Sequence, residues 1–182
     1  MAKQMLFSIP YNGDLDLIRW AVSTGQVREV YFSGCGTNDY SRRNEKEIKI
    51  SIKELKELIS FCAANRVGRN LLINKSVMFF DDAKEVINSV KTLHGAGGLT
   101  GITIADRVLL PILKKTFPGI PIQASANLHI DTAQKVQAAY KMGISEFCLD
   151  YSLNRNLCEL ERIRELKRGL PKLRIKLMAN QG

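Results

Sequence analysis

The sequence predicts an α/β fold, an incomplete (β/α)8 TIM-type barrel of about seven strand–helix units in a single domain spanning residues 1–182. Three observations predict it. Short apolar runs alternate along the chain with longer segments of helical periodicity, which implies parallel pairing and right-handed crossovers. The apolar runs lack strict polar alternation, as expected of strands covered on both faces. The first run leads into Pro10-Tyr11-Asn12-Gly13-Asp14. This is not the glycine-rich turn that opens a doubly wound dinucleotide-binding sheet, the competing architecture. A full barrel takes about 250 residues, so 182 residues fit one that stops before its eighth unit.

The elements follow in order. Gln4 to Ile9 reads as the first strand, closed by Pro10. Asp14 caps a helix to Thr24 that places Leu15, Ile18 and Val22 on one face, with Gly25 just past its end. Glu29 to Ser33 is the second strand. A polar loop from Gly34 to about Glu47 precedes a long amphipathic helix ending near Asn65. Leu71 to Asn74 is the third strand, and Asp81 and Asp82 cap the helix that ends near His94. The glycine-rich stretch from His94 to Gly98 precedes a strand rather than coming after one. It is therefore read as a helix stop and tight turn, not a phosphate cradle. Gly101 to Ala105 is the fourth strand. The next segment, Asp106 to Phe117, contains Pro111, so its helix is expected to begin near Leu109. Pro121 to Ala124 is the fifth strand and Asp131 caps the helix ending at Met142-Gly143. Glu146 to Leu149 is the sixth strand, Asn154 caps a helix to Gly169, and Lys172 to Met178 is the seventh strand.

Bulk properties narrow the function classes. No window approaches the run of about 18 apolar residues that spans a membrane. The N-terminus lacks the apolar core of a signal peptide, so the cytoplasm is the expected location. The four cysteines, Cys35, Cys62, Cys148 and Cys158, form no CxxC pair and no zinc spacing; Cys62 and Cys148 read as buried small hydrophobes. The net charge of +9 is spread among acidic residues, which favours solvated helix faces over a dedicated nucleic-acid surface.

In either architecture ligands meet the carboxyl ends of the strands. The polar residues expected there are Tyr11 and Asn12, then Ser33, Cys35 and Asn38, then Asn74 and Lys75. Asp106 comes next, then Gln123, Ser125, Asn127 and His129, then Asp150, and last Asn180 and Gln181. Their convergence on one mouth would suit a small polar ligand without a metal. Each also has a plain structural role. Asp106 and Asp150 are positioned to cap the next helices, Ser125 to be a small packing residue, and His129 to be an ordinary loop histidine. His94 ends a helix, where a positive ring suits the dipole. Cys35 has no identifiable base beside it. No triad, paired-carboxylate signature or Walker loop is present.

From the fourth strand onward the chain resembles a known family. Gly101-Ile-Thr-Ile-Ala-Asp106 is followed by Phe117-Pro-Gly-Ile-Pro-Ile-Gln-Ala-Ser-Ala-Asn-Leu128, then Met142-Gly-Ile-Ser-Glu-Phe-Cys-Leu-Asp150, then Ile175-Lys-Leu-Met-Ala-Asn-Gln-Gly182. This order is similar to the collagenase-like unclassified peptidase family 32, most specifically over residues 100–130. The resemblance implies a barrel and one of several activities: proteolysis, tRNA uridine hydroxylation or oxygen-independent ubiquinone hydroxylation. It carries Asp106, Gln123, Ser125 and Asn127 over as mouth-lining residues. The hydroxylating members hold iron–sulfur clusters on cysteines that come after the seventh strand. No cofactor is expected within this chain, and a cluster only if cysteines follow Gly182 in a longer protein.

The leading expectation is thus a barrel protein of that family, or its N-terminal part, binding a small polar or a peptide- or RNA-linked substrate. The residues expected to bind it are Asn12, Asn74, Asp106, Gln123, Ser125, Asn127, Asp150 and Asn180. The alternatives are a tRNA-binding or tRNA-modifying module, motivated by the charge, and a non-catalytic scaffold that self-associates or takes a partner at its open seventh-strand edge. No membrane partner is expected.

Overall fold

The computed structural model of the protein describes residues 5–34, 50–75 and 77–179. Seven strands, β1 (Phe7–Pro10), β2 (Val27–Phe32), β3 (Gly68–Ile73), β4 (Gly101–Ile104), β5 (Ile122–Ala124), β6 (Glu146–Cys148) and β7 (Arg174–Lys176), alternate with six helices. The helices are α1 (Leu15–Ser23), α2 (Ile52–Ala64), α3 (Phe80–His94), α4 (Leu109–Thr116), α5 (Ala133–Lys141) and α6 (Leu157–Gly169). Order in the sheet is order in the chain, β1 to β7, and the registers of β1 on β2, β2 on β3, β5 on β6 and β6 on β7 are all parallel. A doubly wound sheet reverses its strand order at a switch point. This one never does, which is the wiring of a (β/α)8 barrel with seven of its eight units. The backbone packs as two compact units, one of Met1–Ile73 with Phe79–Ile102, the other of Asn74–Met78 with Thr103–Gly182.

The first unit holds β1 to β3 and α1 to α3. Asp14 caps α1 by accepting the Leu17 N–H, and Gly25 ends it at φ +71°. Helix α2 opens with a capping box: Ser51 accepts the Glu54 N–H while the Glu54 carboxylate accepts the Ser51 N–H. Its face Leu55, Leu58, Ile59 and Cys62 is fully buried, as are Val30, Phe32, Leu71 and Ile73 on the strands. The expected cap of α3 is corrected. Phe79 is the N-cap residue, and Asp82 lies in the first turn, where its carboxylate returns to the Phe79 N–H. After α3, Gly97 and Gly98 take positive φ, and the Gly98 carbonyl accepts from Arg69. The glycine-rich stretch is therefore a helix stop and turn. His94, in the last turn of α3, accepts the Leu99 N–H on Nδ1, a hydrogen bond that fixes the ring.

The second unit holds β5 to β7 and α4 to α6. Helix α4 begins at Leu109, because Pro111 then falls in its first turn, where its missing N–H costs nothing. Two caps differ from expectation. Thr132, not Asp131, caps α5 by accepting the Lys135 N–H, and Asp131 instead pairs with Lys135 at 2.7 Å. Asn156, not Asn154, caps α6, because a 3-10 turn, Tyr151–Arg155, intervenes. Asn154 instead donates to the Met178 carbonyl.

As expected of strands covered on both faces, β4 and β5 are buried at every position, yet polar residues recur inside the strands. Val30 and Phe32 are separated by Tyr31, flanked by Glu29, and Leu71 follows Asn70; in the second unit Ile104, Ile122 and Phe147 neighbour Thr103, Gln123 and Glu146. With a period of two, Asn70, Thr103, Gln123 and Glu146 each lie on the face opposite their apolar neighbours. The polar members are buried too, Asn70 at 1% exposure and Glu146 at 4%.

Candidate functional site

Within the second unit, the polar positions of the strands form a connected network. Lys176 on β7 donates from Nζ to Gln123 Oε1 on β5 at 2.7 Å and lies 2.9 Å from Glu146 Oε1 on β6. Thr103, on β4, donates to the same Gln123 oxygen at 3.3 Å. Arg174 stands 3.8 Å from the other Glu146 oxygen. The register explains the cluster: Gln123 is opposite Glu146, and Cys148, two residues on and on the same face, is opposite Lys176. Side chains of Lys176 and Glu146 are only 15% and 6% exposed. Buried charges of this kind persist when they are paired and hydrogen-bonded, and such a pair is weak support for stability by itself. The first unit has a smaller counterpart, in which Glu29 Oε1 accepts from Ser8 Oγ at 2.9 Å and Asn70 Nδ2 at 3.4 Å. Gly68 is required beside it, since a Cβ there would lie 2.7 Å from the Cβ of Glu29.

Beyond the carboxyl end of β6, Asp150 caps the 3-10 turn Tyr151–Arg155. Its Oδ2 meets His129 Nδ1 at 3.0 Å, and its Oδ1 accepts the Ser152 N–H at 2.9 Å. The Ser152 backbone bond holds the Asp150 carboxyl below its ordinary pKa, against its partial desolvation, with the His129 contact adding to the effect. The Asp150 side chain is 11% exposed and that of His129 73%. His129 takes the left-handed conformation, φ 52° and ψ 49°, which costs a non-glycine residue about 1–2 kcal/mol. Its surroundings over-determine that geometry. Its N–H bonds the Ala126 carbonyl to close the 3-10 turn Ala126–Leu128, its carbonyl accepts from Lys135 Nζ at 3.1 Å, and the next carbonyl, of Ile130, accepts the Asp150 N–H.

The remaining predicted residues take these places. Asn12, in the first unit, is exposed and accepts the Asp14 N–H in a turn leading into α1. Tyr11, also in the first unit, is buried; desolvation, then Glu54, Glu57 and Asp14, raise its hydroxyl above the usual range. Asp106 uses both oxygens on backbone, accepting from Met78 N–H and Val108 N–H at 2.8 Å each, and so ties the loop after β3 to the loop after β4. Ser125 is buried and caps the 3-10 turn through Oγ, which accepts the Asn127 N–H. Asn127 is half-buried. Asn74 buries a side-chain oxygen that has no hydrogen-bond partner among the described residues. Cys35, Asn38, Asn180 and Gln181 lie outside the described residues. The structure thus joins Gln123 to Lys176, Glu146 and Thr103, which the sequence reading missed, and Asp150 to His129, which it assigned to a plain loop role. The signal for the first group was present: a polar residue inside an otherwise apolar strand.

Among the described residues no three His, Cys, Asp or Glu side chains are placed to hold a metal ion. The described cysteines do not suit an iron–sulfur cluster, which takes several thiolates together. Cys62 is buried in the α2 face, where burial, only partly offset by Arg69, pushes its thiol up to about 11; Cys148, on β6, is half-buried rather than buried as expected, and Cys158 is exposed. Among the same residues no helix is long and apolar enough to cross a membrane.

Seven parallel-wired strands in chain order, alternating with helices, define an incomplete (β/α) barrel scaffold. Residues 13–177 match the model of peptidase family U32, and the chain belongs to that family. No curated protein sequence matches it. Among solved structures, the U32 peptidase Mk0906 is similar with a TM-score of 0.68 at 14% identity, over 97% of this chain and 69% of that one. Muconate lactonizing enzyme from Pseudomonas putida is similar with a TM-score of 0.64 at 12% identity, over 96% of this chain and 46% of that one. The phosphoribosylanthranilate isomerase from Thermotoga maritima is similar with a TM-score of 0.54 at 9% identity, over 95% and 87%. At these identities the likeness shows the barrel fold alone. The chain spans about half the length of the muconate lactonizing enzyme it matches.

Proposed function

We propose that this chain is the barrel of a U32-type enzyme that binds a small polar substrate at the carboxyl ends of the second unit's strands. The observation that carries the reading is the buried network of Gln123, Lys176, Glu146 and Thr103. A barrel face built only for stability is filled by branched apolar side chains, whereas this one spends its interior on hydrogen-bonding groups. A few fixed polar groups within an otherwise apolar frame are what orients a polar ligand. Asn74, with its unsatisfied buried oxygen, and the half-buried Asn127 are the side chains best placed to meet the substrate itself. The family name makes an amide or ester bond the first chemistry to try.

The test uses the purified protein with a panel of short peptides and esters, read by hydrolysis and by ligand-induced thermal shift. Asn74→Ala and Asn127→Ala are expected to lower turnover or the thermal shift at least tenfold in ligand concentration while leaving the far-UV circular dichroism unchanged. Full activity in both variants, or no ligand response from the wild type, would remove the reading. A second reading, RNA binding, is favoured by the second unit's charge: fourteen of the 27 Lys and Arg fall there against seven of the 18 Asp and Glu.

A further inference from the structure

We infer that His129 and Asp150 form a proton-transfer pair, in which the buried carboxylate holds the imidazole Nδ1–H and leaves Nε2 as a base at the carboxyl ends of β5 and β6. The inference rests on the proposed substrate site and names its chemistry: hydrolysis of a carboxylic ester or amide. Four observations meet on this pair. The contact is 3.0 Å, and the two partners differ sharply in exposure, so the acid is fixed while the ring faces solvent. The second Asp150 oxygen is already committed to the Ser152 N–H, which turns the carboxylate toward the ring. The ring's backbone is held in a left-handed geometry by bonds to Ala126 and Lys135, an arrangement that persists only when the surroundings enforce it. Finally, the pair stands where barrel enzymes gather their reacting groups.

Asp150 caps the 3-10 turn through the Ser152 N–H, but that role does not call for His129, whose contact from a ring 73% exposed adds little to stability. A carboxylate that fixes one ring nitrogen as donor makes the other an acceptor, the arrangement that lets histidine act as a general base near neutral pH. The charged groups around the pair are Lys135, whose Nζ reaches both the His129 carbonyl and Asp131 Oδ1, and Asp131 itself. In the reaction, a water gives its proton to His129 Nε2 as its oxygen bonds the acyl carbon, and the carbonyl electron pair moves to the carbonyl oxygen. That pair then re-forms the C=O as the C–O or C–N bond breaks, and Nε2 returns the proton to the departing alcohol or amine. Water is the only co-reactant, and the ring ends as it began. His129 is the catalytic residue and Asp150 its positioning residue.

The protein carries a built-in control, because its other histidine, His94, uses Nδ1 as an acceptor. Nitrogen-15 correlation spectra of the neutral rings should show His129 protonated on Nδ1 and His94 on Nε2. Asp150→Asn should move the His129 proton toward Nε2 and leave His94 unchanged. With p-nitrophenyl acetate as probe, His129→Gln should lower the rate above background at least tenfold with an unchanged melting temperature, and Asp150→Asn should lower it as well. A His129 ring protonated on Nε2 in the wild type, or an unchanged rate in His129→Gln, would overturn the pair. The Asn74→Ala and Asn127→Ala measurements read the site separately: a ligand response lost in those variants, alongside an inert His129, would leave the site standing and this inference refuted.

Discussion

Lys176 and Glu146 are each nearly buried and each dependent on the other. Their side chains meet at 2.9 Å, with Gln123 sharing the ammonium and Arg174 more distant from the carboxylate. Removing one partner of such a pair strands a charge, which costs about 3–5 kcal/mol in a fully buried setting, and less here because Lys176 keeps some access to water. Replacing both partners with apolar residues of similar volume removes the stranded charge along with the pair. We therefore expect Lys176→Met to lower stability by about 2–3 kcal/mol. The double variant Glu146→Leu/Lys176→Met should recover most of that loss, as measured by urea denaturation. A double variant as unstable as the single one would mean that the network is a stability device, and would weaken the case that it serves a ligand.

Among the elements, helix caps show where sequence reasoning holds and where it slips. Asp14 can be read directly, because it sits immediately before a periodic apolar stripe with no competing residue, whereas the Ser51–Glu54 box was not singled out. The start of α5 offers two adjacent candidates, Asp131 and Thr132, and the start of α6 two asparagines separated by a turn that local pattern does not reveal. Only the three-dimensional path decides which oxygen faces the free N–H groups. Thr132→Ala should cost about 1 kcal/mol, the usual worth of a cap, and Asp131→Ala a few tenths, the worth of an exposed i,i+4 pair with Lys135. Equal losses in a thermal melt would contradict the assignment. The same limit applies to the site. The carboxyl-end residues Asp106, Ser125 and Asp150 were legible from strand boundaries, and so was the order of the strands themselves. Lys176, Glu146 and Thr103 were not singled out, because each strand is three to six residues long and a period-two pattern that short is hard to separate from a continuous apolar run. The pairing of His129 with Asp150 was out of reach entirely, since 21 residues separate them and only the adjacency of β5 and β6 brings them together.

At the scale of the whole molecule, the charge is distributed unevenly, and the helices account for much of the imbalance. The last turns of α4, α5 and α6 carry Lys114 and Lys115, then Lys141, then Lys167 and Arg168. Cations at helix C-termini offset the negative end of the dipole, so these five residues have a structural reason to be basic without any nucleic-acid partner. They also lie at the ends of helices that lead back toward the next strand's start, away from the carboxyl ends of β5 and β6 where His129 and Asp150 stand. An RNA drawn by this charge would bind through phosphates and without base contacts from the candidate site. We expect tRNA binding to be weak, with a Kd of about 10⁻⁴–10⁻⁶ M at physiological salt, and to fall steeply between about 50 and 200 mM salt. It should be unaffected by Asn74→Ala or Asn127→Ala and reduced by charge reversal at Lys167 and Arg168, as read by filter binding. Affinity that persists at high salt and is lost with the asparagines would place RNA in the substrate site and displace the small-molecule reading.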